Sequence, residues 1–214
     1  MKMKHFAALA AAVGAMSVAV VAHAGTPALD FDQNNGLTLG NGPFTLGWEF
    51  TTSAKLKLDG LGVFDDSLDG LNESHDVGLW DNFGNLLAST TVGSGTSGTL
   101  IDNFRYNSIS PLTIGAGTYF IGALWLDGGD NNVFVGQSGT VTTIPQVSYV
   151  SASYVAGGSL ANPTNTGVGA PGYFGPNFTA GGVPEPTSWA LMLVGFGGLG
   201  VAMRSRRKLA YATA

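Results

Sequence analysis

The 214-residue sequence contains no cysteine. That excludes a disulfide scaffold, a zinc–thiolate site and a thiol nucleophile. The stability of any folded body must therefore come from an apolar core. Positive charge is nearly as scarce once the two ends are set aside. Between Gly25 and Val183 only Lys55, Lys57 and Arg105 are basic, against thirteen Asp and Glu, a formal charge of −10. A body this acidic repels a phosphate backbone, so no nucleic-acid partner is expected. The same charge favours solubility and attracts cations. His75 is the sole histidine of that span, which excludes a histidine-rich metal site. An amphipathic helix of useful length is also missing, and no Gly-rich phosphate loop stands in a strand–loop–helix context.

What is present begins with two address-like ends. Lys2 and Lys4 precede an apolar run from Phe6 to Val21, closed by Ala22-His23-Ala24. A basic start, an apolar stretch and small residues two apart form a signal peptide over 1–24, with signal peptidase cutting between Ala24 and Gly25. At the other end, Val183-Pro184-Glu185-Pro186 leads into fifteen apolar residues, Trp189 to Met203, and then into Arg204, Arg206, Arg207 and Lys208. As a helix the apolar stretch reaches roughly 22 Å, short for a ~30 Å hydrocarbon core. Trp189 suits the outer interface and the basic cluster the cytoplasmic side, which makes this a weak stop-transfer helix in an inner membrane.

Pro184-Glu185-Pro186, Trp189-Ala190, the glycine-rich Gly195 to Gly200 and the Arg cluster together resemble the PEP-CTERM sorting signal over 184–208, in the form where Trp-Ala follows the PEP. The resemblance implies recognition by an exosortase, an integral-membrane cysteine protease of Gram-negative bacteria that make exopolysaccharide or biofilm matrix. Export, transient inner-membrane anchoring, and a final place at the cell surface or outside the cell follow as expectations. Ser205 interrupts the Arg run and six residues follow Lys208, two departures from the family pattern.

Between the ends the hydrophobic period is two. Phe44, Leu46, Trp48 and Phe50 share one face of a strand, as do Tyr119, Ile121, Ala123 and Trp125. Lys55 to Leu58 alternates and continues past Gly60 to Phe64. Val77 to Trp80 and Leu86 to Val92 flank Asp81-Asn82-Phe83-Gly84-Asn85, a link suited to a hairpin. Val133 to Val135 and Gln146 to Tyr154 complete the run. Turn signals every eight to twelve residues predict an antiparallel β-sandwich of the jelly-roll or Greek-key kind over 25–156. The Gly-, Pro- and Asn-rich 157–183 reads as a last strand and a linker to the membrane. Leu46-Gly47-Trp48-Glu49-Phe50, Leu61 to Asp65, Ser74 to Asp81, Gly84 to Ala88 and Phe104-Arg105-Tyr106 resemble uncharacterised β domains of PEP-CTERM proteins, which implies a sandwich and no known activity.

Three constellations bear on chemistry. Counting Asp65 as position 1, the loop Asp65, Ser67, Asp69, Gly70, Glu73 and Asp76 has the oxygen spacing of an EF-hand-like calcium site, although its last position is Asp and no helices flank it. Asp127 to Asn132 is a second acidic turn. Ser74-His75-Asp76 has the residue types of a hydrolase triad, but neighbours on a strand point to opposite faces, so a packed or capping histidine is the plainer reading. The expected function is a non-enzymatic surface or matrix protein with a structural or interaction role. One alternative is a carbohydrate-binding module, with or without calcium, which two or more exposed tryptophans would favour. A remoter one is a secreted hydrolase, which needs two carboxylates, or one and His75, converging in a pocket.

Overall fold

The computed structural model describes residues 25–32, 36–39, 42–126, 129–135, 139–166 and 171–181. The predicted signal peptide over 1–24, with Ala22 and Ala24, and the sorting tail over 184–208 lie outside the described residues.

Among the described residues the chain forms strands β1 (Thr26–Pro27), β2 (Leu29–Phe31), β3 (Gly36–Leu39), β4 (Phe44–Thr52), β5 (Leu56–Phe64), β6 (His75–Asp81), β7 (Leu86–Val92), β8 (Thr99–Ile101), β9 (Phe104–Ile114), β10 (Gly117–Trp125), β11 (Asn132–Val135), β12 (Val141–Thr143), β13 (Val147–Ala156), β14 (Asn165–Thr166), β15 (Gly172–Tyr173) and β16 (Pro176–Ala180). One 3-10 turn, Asp66–Leu68, follows β5. Two sheets dominate, in the orders β1-β16-β5-β9-β8 and β14-β13-β4-β10-β6-β7, with smaller β15-β11-β3 and β12-β2 ladders beside them. The ladders are antiparallel, so the predicted all-β antiparallel class is what the chain adopts.

The core forms where the period-two faces meet. In the larger sheet Trp48 stands opposite Ile121 on β10 and Ala152 on β13, and Ile121 stands opposite Leu79 on β6. Phe178 of β16 reaches this layer from the other sheet, stacked on Trp48 at 5.9 Å and tilted against Phe50 at 5.1 Å. The Trp48 indole N–H donates to the Pro176 carbonyl at 2.9 Å, tying the two sheets together inside the core. Gly47, on the opposite face of β4, permits close ladder contact: a Cβ there would lie 1.8 Å from the Ile121 carbonyl oxygen.

The segment 157–183 contributes the last strand of the sandwich, β16. Pro176 to Ala180 are all buried, and β16 pairs with β5 on one side and β1 on the other. The Asn177 side chain donates to the Leu29 carbonyl at 2.7 Å, so even its polar group is satisfied internally. This segment is an interior strand of the first sheet, and among the described residues the folded body runs from Gly25 to Gly181. Gly25 is itself buried; a Cβ at that position would lie 2.5 Å from Asp59 Oδ1 and 2.7 Å from the Thr179 side chain.

Two tyrosines make the body sensitive to alkali. Burial pushes the Tyr106 phenol well above its ordinary value, with the charges of Asp102 and Asp30 adding to the effect. Burial raises Tyr149 as well, and its hydroxyl donates to the Pro171 carbonyl. A phenol held neutral in the fold but free to ionise in the unfolded chain leaves stability intact below about pH 10 and erodes it above. Phenolate absorbance followed against pH is therefore expected to show these two groups ionising only with unfolding. A fully reversible titration of every tyrosine near pH 10, with the far-ultraviolet circular dichroism unchanged, would contradict this.

Candidate functional site

The loop joining β5 to β6 carries most of the residues singled out by spacing, and the structure divides them. Asp65 is buried (1% exposed) and forms an ion pair with Arg105 of β9, Asp65 Oδ2 to Arg105 Nε being 2.6 Å. Its other oxygen accepts the Gly70 N–H at 3.2 Å. Ser67 and Leu68 bend the chain through positive φ (68° and 62°), where L-residues are uncommon. Ser67 and Asp69 are exposed. Asp76 lies on β6, exposed, and accepts the Thr91 hydroxyl at 2.6 Å. Asp65, Ser67, Asp69, Glu73 and Asp76 thus do not make the shared calcium cage that the spacing suggested. The loop is a strand-to-strand crossing anchored by a salt bridge, not an EF-hand coil wrapped round one centre.

Glu73 takes part in a different cluster. Its partners are His75 at the start of β6 and Asp130 in the loop between β10 and β11. One potential ligand atom from each of Glu73, His75 and Asp130 lies within 4.8 Å of the other two. Backbone groups fix every member. The Asn72 and Glu73 N–H groups donate to Asp130 Oδ1 and Oδ2, both at 2.8 Å. The Leu126 N–H donates to Glu73 Oε1 at 3.3 Å. His75 Nδ1 lies 2.8 Å from the Leu124 carbonyl, which only accepts, so Nδ1 carries the proton. Nε2 then faces Asp130 Oδ2 at 3.0 Å. The His75 ring is 1% exposed, packed 5.0 Å from the Trp125 ring. Asn72 and Asn131 add further ties, to the Gly129 carbonyl and to Asp66 Oδ2.

The residues of Ser74-His75-Asp76 do not form a triad; His75 points inward and Asp76 outward, as strand alternation requires. Trp48, Trp80 and Trp125 are 0, 5 and 1% exposed, and Trp189 lies outside the described residues. The condition set for the sugar-binding alternative, two exposed tryptophans, is therefore not met among the described residues. A groove of about 470 Å³ lies between β7 and β9, lined by residues including Leu87, Ser89, Thr90, Ser108 and Ile109. None of its lining residues is ionisable, so it offers neither acid nor base to a hydrolytic step.

Fold and site together define an antiparallel β-sandwich with a half-buried carboxylate–imidazole cluster between two loops. Residues 182–208 match the family model described as the PEP-CTERM protein-sorting motif. The chain thus carries this motif, and with it the implication of exosortase processing, export and surface sorting in a Gram-negative bacterium. No curated protein and no solved structure matches the chain. Among the described residues no helix is long and apolar enough to cross a membrane.

Proposed function

We propose that this chain is a non-enzymatic structural or interaction protein of the cell surface or extracellular matrix. Signal peptidase releases it after Ala24. The Trp189–Met203 stretch holds it transiently in the inner membrane, with Arg204, Arg206 and Arg207 on the cytoplasmic side. Exosortase then acts at Pro184-Glu185-Pro186 and Trp189-Ala190. The natural surroundings of such a product are exopolysaccharide and biofilm matrix. The observation that carries this reading is the sorting motif at residues 182–208, which follows directly on the last core strand.

Replacing Pro184, Glu185 and Pro186 together by alanine is expected to leave the body folded and exported while abolishing tail processing. In an exosortase-bearing host the variant should accumulate in the inner-membrane fraction at its unprocessed mass, with the surface or released form reduced on the order of tenfold or more. Immunoblots of fractionated cells read both quantities. Equal surface delivery of variant and parent would remove the tail from the account.

A further inference from the structure

We propose that Glu73, His75 and Asp130 form a binding site for a divalent transition-metal ion, zinc foremost, that clamps the β5–β6 loop to the β10–β11 loop. This goes beyond the sorting reading and does not depend on it.

Ring orientation comes first. With the Nδ1 proton given to the Leu124 carbonyl, a neutral His75 presents its Nε2 lone pair to Asp130 Oδ2 at 3.0 Å. Two acceptors face one another there, and the ring is 1% exposed, so water does not separate them freely. A cation must reconcile them. One backbone carbonyl fixing Nδ1 while Nε2 faces outward is the arrangement that orients a metal-binding histidine.

Charge comes second. Glu73 and Asp130 bring two negative charges into a half-buried space. Protonating His75 would offset only one of them. The other cations of the described body are elsewhere: Arg105 is committed to Asp65, and Lys55 and Lys57 are exposed beside and on β5. A divalent ion bound to a neutral imidazole balances both carboxylates.

Support comes third. Each of the three side chains already has a backbone partner besides the ion: Leu124 O for His75, Leu126 N for Glu73, and Asn72 N and Glu73 N for Asp130. Such outer contacts hold ligands in place before the ion arrives. Tetrahedral ligands about 2.0–2.1 Å from zinc stand about 3.3–3.4 Å apart. Nε2 and Oδ2, at 3.0 Å, need to part by only about 0.4 Å to reach that spacing, and the half-buried Glu73 lies within the same 4.8 Å cluster. The donor set also selects the ion. Calcium prefers six to eight oxygens, whereas one imidazole with two carboxylates suits zinc and its neighbours. Three protein ligands leave a further position for water.

The test uses the full chain, treated with chelator and dialysed, with zinc chloride as the probe and calcium and magnesium chlorides as controls. Expected is one equivalent of zinc by titration calorimetry, with a melting temperature raised by about 5–10 °C at free zinc 100-fold above the dissociation constant. Cobalt(II) should bind in its place and give visible absorption bands indicating a nitrogen ligand. Because His75→Gln and Asp130→Asn risk the fold itself, Glu73→Gln is the informative variant. Its amide oxygen still accepts the Leu126 N–H, so the metal-free melting temperature should stay close to the parent's, while zinc affinity falls on the order of 10–100-fold. The proposal is overturned if zinc produces no shift, if Glu73→Gln binds zinc as well as the parent, or if calcium and magnesium shift the melting temperature as much as zinc does.

Discussion

Replacing Arg105 by methionine is expected to lower the unfolding free energy by about 3–5 kcal/mol, the range seen when one partner of a buried ion pair is removed. Asp65 is 1% exposed and has its Oδ2 only 2.6 Å from Arg105 Nε. Without the guanidinium its charge would remain buried with the Gly70 N–H as its remaining side-chain partner. Arg105 also reaches the carbonyls of Gly98 at 3.4 Å and Leu68 at 3.5 Å, so its loss loosens both the β5–β6 loop and the chain that enters β8. The double substitution Asp65→Leu with Arg105→Met should recover most of the loss, because replacing both charges by apolar groups of similar volume is often nearly neutral. Urea unfolding of the two single variants and the double variant closes the cycle. A cost under about 1 kcal/mol for Arg105→Met would mean that water reaches Asp65 and that the pair is not the loop's anchor.

A loss of similar size, about 3–5 kcal/mol, is expected for Trp48→Ala, since large aromatic truncations in a core remove transfer energy and leave a cavity. Trp48 is fully buried and touches Phe50, Tyr149 and Phe178. Trp48→Phe separates two contributions. It keeps an aromatic ring in the layer but leaves the Pro176 carbonyl without its indole donor, a loss of about 1–3 kcal/mol for a buried acceptor. Equilibrium unfolding measured for both variants gives the comparison. If Trp48→Phe matches the parent within about 0.5 kcal/mol, the tie between β4 and β16 contributes packing alone.

Much of this body was legible in its hydrophobic period. β4, β5, the β6–β7 hairpin and β10 fall within about two residues of the stretches marked by alternation, because alternate apolar side chains of the strands fill the core. The hairpin link was readable too: Asp81 accepts the Phe83 and Asn85 N–H groups and the Asn85 side chain, the local bonding that favours Asp and Asn in turns. β9 was seen only in part. Its eleven residues include Arg105, Asn107, Ser108, Ser110 and Pro111, which blur the period, and Arg105 is buried for a reason that resides 40 residues away. A last strand was legible in 157–183, but its glycine-rich surroundings hid the bounds of β16, whose Phe178 is wholly buried. The site was half legible. Both acidic stretches stood out as unusual, but their joining rests on Asp130 reaching a histidine 55 residues earlier. Spacing along one loop carries no information about such a contact.

The place of β16 bears on how the protein is made. Thr26 pairs with Ala180, and the motif begins two residues beyond that strand. A chain threaded across a membrane N-terminus first has Trp48 and β5 outside long before Phe178 arrives. The first sheet lacks the strand between β1 and β5 until residues 176–180 have crossed, and adding it must then close a loop of more than a hundred residues, the kind of contact that makes folding slow. The stretch that completes the body is therefore the one delivered immediately ahead of the sorting signal, so maturation of the fold and presentation of the tail are consecutive events on a single moving chain.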